Sequence, residues 1–250
     1  MSPEYEKFRQ EGREEIASQG GDAALQAVSR DWMNRANRHK YSYHFEWLGR
    51  PIIQYPQDIV AMQELIWSVQ PDLIVETGIA HGGSLVFSAS MLEVNAACGG
   101  PRDALVLGID IDIRAHNRAA IEAHPLAARI RMLEGSSIAP EVVAQVHAHA
   151  RGRQRVLVSL DSNHTHAHVL AELQAYAPLV SVGSYCVVFD TVIDDMPADM
   201  FPDRPWGPGD NPKTALREYL RTHPEFEVDQ ALDHKLLVSV APDGYLKRVR

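Results

Sequence analysis

A chain of 250 residues with 45% hydrophobic content can bury a substantial core, and its length fits one large α/β domain better than two small ones. The formal charge of −9, from 33 acidic against 24 basic residues, argues against a nucleic-acid backbone as the main partner, because phosphate neutralisation needs a concentrated basic surface. Two cysteines exclude a disulfide framework, and Cys186 lies in an apolar run where a thiol behaves as a small hydrophobe.

The first ten residues are charged and carry no apolar h-region, and no later stretch is long and apolar enough to span a bilayer, so a soluble, cytoplasmic protein is expected. Residues 3–18 and 29–40 are good helix formers with weak apolar periodicity, read as peripheral helices separated by Gly20 and Gly21. They make a helical extension over residues 1–46, expected to pack on the outside of the main domain (47–250) or on a neighbouring subunit of a homo-oligomer. Residues 41–55 are dense in aromatics without a regular period, and two readings stand: a cover over a ligand, or packing beneath the next helix. That helix, 57–69, carries Ile59, Met62, Ile66 and Val69 at helical spacing.

The chain is organised around the stretch from Asp72 to Ser84. Leu73, Ile74 and Val75 form a short apolar run, as expected of a central parallel strand covered on both faces. Glu76 ends it. Gly78, Gly82 and Gly83 then stand where a turn must bring backbone close to something, and Ser84 is placed to help cap a helix carrying Leu85, Val86, Phe87, Met91 and Leu92. A pyrophosphate favours a helix start with no anion nearby, whereas a carboxylate beside the loop suits a ligand with a cationic or amine-bearing part. S-adenosylmethionine (SAM) has a sulfonium and an α-amino group, and the run Glu76, Thr77, Gly78, then Gly82, Gly83, Ser84 resembles the first motif of class I methyltransferases.

A strand and helix alternation follows, the signature of a parallel sheet with helices on both faces. Strands are expected at 105–109, 129–133, 155–160 and 184–189, with helices at 114–123, 140–151 and 165–177 between them. After Asp190 the rhythm breaks into a loop, 191–210, rich in proline, glycine and acids, the kind of long loop that is functional or mobile. A helix at 212–222 and strands at 226–228 and 236–240 complete a seven-stranded sheet with an antiparallel edge, and the basic residues Lys247, Arg248 and Arg250 read as a solvated tail.

Four strand ends carry an acid: Glu76, Asp110, Asp161 and Asp190. In an open parallel sheet they converge along one edge, where a set of acids can bind hydroxyls, an amine or a metal. Asp110, with Asp112 as the alternative, stands where a carboxylate holds a ribose diol, and Ser136 and Ser137 would reach the adenine side. Three histidines, His164, His166 and His168, follow Asp161, but with no cysteine or second histidine cluster a tetrahedral zinc site is not supported. Oxygen ligation by Asp161 and Asp190, helped by Asn163 or waters, suits magnesium. His164 is then placed as general base on a hydroxyl, while His166 and His168 read as helix-surface residues.

Taken together, the runs 75–84 (including His81), 107–112, 134–137, 160–164 and 187–191 resemble the cephalosporin hydroxylase and rhamnosyl O-methyltransferase family, in order from about Trp47 to Tyr245. The resemblance implies a Rossmann-like class I methyltransferase fold, a mostly parallel seven-stranded sheet with helices on both faces. It also implies SAM at the first motif, magnesium on Asp161 and Asp190, catalysis by His164, and a small hydroxylated acceptor, above all a deoxysugar in a nucleotide sugar, glycoconjugate or natural product. One departure stands out: where the family's fifth strand commonly ends in Glu-Asp, this chain has Phe189 and Asp190. Either Asp194 or Asp195 replaces the missing ligand, or the metal is bound weakly or not at all, and a hydroxylase component or a non-catalytic SAM-binding subunit are the alternative readings.

Overall fold

The computed structural model describes residues 2–250. The chain opens with α1 (Pro3–Gly21) and α2 (Ala23–Asn37), and the break between them lies at Asp22 rather than at the glycine pair. Asp22 accepts from the N–H groups of Ala24 and Leu25, so its carboxylate caps α2, while Gly20 and Gly21 stay helical. Gly20 has a packing reason to be small: a Cβ there would meet the His234 ring. The helix thus lies against the domain's outside, tied by Gln19 donating to the His234 carbonyl.

Residues 41–55 divide between the apolar core and the wall of a cavity. A short 3-10 turn and the hairpin β1 (Phe45–Trp47) with β2 (Arg50–Ile52) form here, neither foreseen from the sequence. Trp32, Tyr41, Phe45 and Tyr55 pack edge to face at 5.1–6.2 Å, and Trp47 meets Phe87 at 4.9 Å. Ser42, Tyr43, Pro51, Ile53 and Gln54 instead face the main cavity.

The elements then run α3 (Pro56–Val69), β3 (Leu73–Thr77), α4 (Gly83–Ala97), β4 (Leu105–Asp110), α5 (Ala115–Glu122), β5 (Ile130–Glu134), α6 (Pro140–Ala150), β6 (Val156–Leu160), α7 (His166–Tyr176) and β7 (Tyr185–Val188). After the loop come α8 (Pro212–Leu220), β8 (Phe226–Val228), α9 (Gln230–Leu236) and β9 (Tyr245–Arg248). The seven-stranded sheet has the order β5-β4-β3-β6-β7-β9-β8, with β9 antiparallel to both neighbours and the rest of its pairings parallel. Alternate residues of the central strands feed two apolar layers. Ile74 and Val106 pack with α3 and α4 on one face, and Val75 and Leu107 with α6, α7 and α8 on the other.

Two expectations about the carboxyl-terminal part are corrected. Residues 236–240 are not a strand: Asp58, fully buried on α3, accepts from the Ser239 hydroxyl at 2.6 Å, the Val240 N–H at 2.9 Å and the Tyr245 hydroxyl at 2.7 Å. Those bonds hold the segment as a crossing peptide, and the antiparallel strand forms from Tyr245 to Arg248. Lys247 and Arg248, read as a solvated tail, therefore lie within the sheet. Ser84 is also not the cap of α4; Gly82 holds that place in a left-handed conformation.

Candidate functional site

The chain leaves β3 toward β4 and β5, then returns to β6 on the other side of β3, so the strand order reverses between β3 and β6. Ligands of open α/β sheets bind at such a point, outside the carboxyl ends of the strands. The ladder extends into the turns there: Gly78 N–H donates to Ile109 O, Gly135 N–H to Asp110 O, and Asp161 N–H to Thr77 O. These bonds bring the first residues past the strands level with one another.

A cavity of about 520 Å³ opens at that edge. Of the expected cofactor residues, Gly78, His81, Gly83, Ser84, Asp110, Ser136, Ser137 and Asp161 line it. Glu76, Thr77 and Gly82 adjoin it without lining it, and Asp112 is exposed beside Arg114 and does not line it either.

The glycine loop is clamped from two sides. Asp110 Oδ2 accepts from the N–H groups of Ile79 at 2.8 Å and Ala80 at 3.2 Å, so this carboxylate shapes the loop as well as facing the cavity. From outside, Arg50 donates to the His81 carbonyl and to Asn117 Oδ1, and Asn117 Nδ2 donates to the Ala80 carbonyl. Ala80 is thereby held at φ +47, a conformation that a side chain disfavours. At Gly78 a Cβ would lie 1.9 Å from the Asp161 carbonyl oxygen, so only glycine lets the two strand ends touch.

Glu76 is buried, and burial pushes its carboxyl up to about 7 against the easing of the Ser84 and Ser88 hydroxyls. One of its oxygens, Oε1, has no partner within the protein. A buried acceptor left bare beside the glycine loop fits a ligand that brings its own N–H or positive charge.

Ligating atoms of Asp161, His164 and Asp190 lie within 4.8 Å of one another. Asp190, two residues past the end of β7, sits at φ +56, a strained backbone, and its carboxylate lies 3.1 Å from His164 Nε2. Asp161 accepts from Gln54 Nε2 at 3.1 Å, and burial first, then the neighbouring Asp190 and Glu76, raises its carboxyl well above the usual range. Two carboxylates pressed together under burial are a donor set that a hard divalent cation fits.

Asp194 does not join them. Its oxygens accept from Gly209 N–H, Asn211 Nδ2 and Arg217, and although burial opposes it, these bonds hold its carboxyl below the usual value. Asp195 pairs with Lys213 at 2.7 Å. Phe189 is buried in the apolar layer, and neither Asp194 nor Asp195 belongs to the group, whose remaining polar side chain is His164.

His166 and His168 are not free surface residues. His166 bridges α7 to α8 through Thr214 and Glu218. His168 lines the cavity with its Nε2 3.0 Å from the Ser137 hydroxyl and 3.4 Å from buried Glu172. Gln54, Arg50 and Asn117 were missed from sequence, and His168 was noticed only as a helix-surface residue.

The loop 191–210 forms one wall. It starts as a 3-10 turn, Thr191–Asp195, and Met196, Phe201, Arg204, Pro205 and Trp206 face the cavity.

The family model Rhamnosyl O-methyltransferase/CmcI matches residues 39–249. The rhamnosyl O-methyltransferase of Mycobacterium leprae is 29% identical over 204 residues, covering 81% of this chain and 82% of that protein. The rhamnosyl O-methyltransferase of Mycobacterium bovis strain BCG is 32% identical over 194 residues, covering 76% of this chain and 73% of the relative. A solved structure of CmcI with Mg and SAM matches with a TM-score of 0.56 at 20% identity, over 83% of this chain and 78% of that one, a likeness of fold. By the family-model match over most of its length, the chain belongs to the Rhamnosyl O-methyltransferase/CmcI family.

Proposed function

We propose that this protein transfers a methyl group from SAM to a hydroxyl of a small polar acceptor, a sugar of the rhamnosyl type. The observation that carries the reading is the convergence of Asp161, His164 and Asp190 at the rim of the glycine loop, inside one cavity. The names of the mycobacterial relatives support the sugar acceptor.

Gly78 and Gly83 let the Asp161 and Pro51 backbones close against the loop that would hold the donor, Asp110 offers its remaining lone pairs to a ribose, and bare Glu76 Oε1 suits a charged amine. Asp161 and Asp190 would hold magnesium. When bound, the metal supplies positive charge that makes a hydroxyl easier to deprotonate, and SAM supplies an activated methyl group. The chain's own contribution is orientation and proton removal. His164, steadied by Asp190, takes the proton of the acceptor hydroxyl, and Gln54 keeps the Asp161 carboxylate in place.

The hydroxylase reading is not favoured. Among the described residues the candidate metal group contains one histidine and two carboxylates, the reverse of the two-histidine, one-carboxylate set of non-haem iron oxygenases.

The test is methyl transfer from radiolabelled SAM to a rhamnoside, with and without chelator, for wild type and His164→Ala. Chelation should lower the rate, and His164→Ala should lower it by about 100-fold or more with SAM affinity retained. Activity indifferent to both treatments would remove the metal and the base from the reading.

A further inference from the structure

The wall built by residues 196–206 carries chemistry that the methyl transfer itself does not use. The Trp206 ring lies 5.3 Å from the His164 imidazole at an interplanar angle of 75°, and Phe201 packs 5.4 Å from it. An indole fixed in this way beside the proposed base offers a flat face to a pyranose. Arg204 lies over the same ring, its guanidinium carbon 5.8 Å from the centroid.

Among the described residues Arg204 is the only arginine or lysine lining the cavity, where the acidic side chains are Asp110, Asp161 and Asp190. Its neighbours on this side of the molecule have found acids: Arg38 pairs with Asp199 and Arg217 with Asp194. Arg204 makes no such pair among the described residues, although Asp203 adjoins it in sequence. A neutral sugar offers a guanidinium only hydroxyl oxygens, whereas a phosphate brings opposite charge and two oxygens that match the planar fork of N–H donors, while the ring supports the cation from one side.

We infer that Trp206 and Arg204 form an acceptor subsite for a phosphorylated sugar: the pyranose against Trp206 with its hydroxyl toward His164, the phosphate on Arg204. This rests on the reading of the cavity as a sugar O-methyltransferase site. The phosphate is a sugar 1-phosphate or the diphosphate of a nucleotide sugar, which present the same oxyanion to the guanidinium.

The experiment compares rhamnose 1-phosphate, UDP-rhamnose and uncharged methyl rhamnoside, as substrates with SAM and as ligands by calorimetry, for wild type and Arg204→Gln. Arg204 is exposed, so the substitution leaves the fold intact. The wild type should prefer a phosphorylated sugar over the methyl rhamnoside in kcat/KM, and Arg204→Gln should shrink that preference by about tenfold or more, on the scale of one charge-assisted hydrogen bond. The loss should fall on KM, and added salt should mimic it. Which of the two phosphorylated sugars is favoured tells the nucleotide from the simple phosphate. Methylation of all three sugars with equal efficiency, or a preference untouched by Arg204→Gln, overturns the inference and leaves the methyltransferase reading standing. Arg204-dependent binding of the phosphorylated sugars with no methyl transferred to any of them does the reverse.

Discussion

Gly78→Ala probes the contact on which the site depends. Its Cβ would lie 1.9 Å from the Asp161 carbonyl oxygen, 2.7 Å from the carbonyl carbon and 3.3 Å from Ser162 Cα, on a backbone at φ +89. Gly99 provides the control, since it has φ +93 but no atom within 4 Å of its Cβ position. Gly99→Ala therefore carries the conformational cost alone, about 1–2 kcal/mol. At about 2–4 °C per kcal/mol for a chain of this size, its Tm should fall by about 2–8 °C, with SAM affinity unchanged. Gly78→Ala carries the same cost plus an overlap between two backbone segments, neither of which is a flexible side-chain tip. Relieving it moves one strand end by about 1 Å or more, since carbon contacts settle near 3.5 Å. The segment displaced holds Asp161, and a misplacement of that size at a reacting centre costs about 100-fold in rate. Thermal unfolding, calorimetric titration with SAM and methyl-transfer kinetics should be run on both variants. Equal losses in the two, or wild-type SAM affinity and turnover in Gly78→Ala, would refute the close approach of the β3 and β6 ends as the basis of the site.

Gln54→Leu removes the hydrogen bond to Asp161, and the magnesium concentration needed for half-maximal activity should rise by about 10–100-fold; an unchanged requirement would deny Gln54 an orienting role. Glu76 has its folded carboxyl raised from 4.5 to about 7, so the folded state holds the proton more tightly. Its contribution to stability is then greatest below pH 4.5 and is lost as pH rises to about 7, by about 3 kcal/mol in the ligand-free protein. Glu76→Gln should remove that share of the slope in urea unfolding measured at pH 4.5 and 7.5, and parallel profiles for the two proteins would contradict it. Asp194→Asn weakens the tie between the loop and α8, so acceptor KM should rise several-fold while magnesium dependence stays as in wild type; a lost metal affinity would restore Asp194 to the ligand set.

Much of this architecture is legible in the chain because it rests on local periodicity. Short apolar runs ending in an acid, all but the last followed by a helix, identify a parallel sheet, and topology then sends Asp110, Asp161 and Asp190 to the same edge. The same local reading failed at 236–240, whose apolar run looks like a strand. A single buried carboxylate, Asp58 on α3, captures Ser239 and Val240 and leaves the strand to Tyr245–Arg248. At the amino terminus a glycine pair looked like a break, yet the stronger signal was the aspartate behind it, which can satisfy two open N–H groups.

The residues of the site divide along the same line. The amino-acid sequence by itself determined the glycine loop, the strand-end acids and the histidine three places past Asp161, because each sits at a fixed offset from a strand. Tertiary structure alone decided which of them meet. Asp194 and Asp112 stand at offsets as suggestive as that of Asp190, but Arg217, Asn211 and Arg114 engage them elsewhere. Gln54, Arg50 and Asn117 reach the loop from segments distant in the chain, and no spacing announces them. The physical reason is range: strand and helix periodicity is set within a few residues, whereas a carboxylate's partner is set by which strands lie side by side and which backbones can touch.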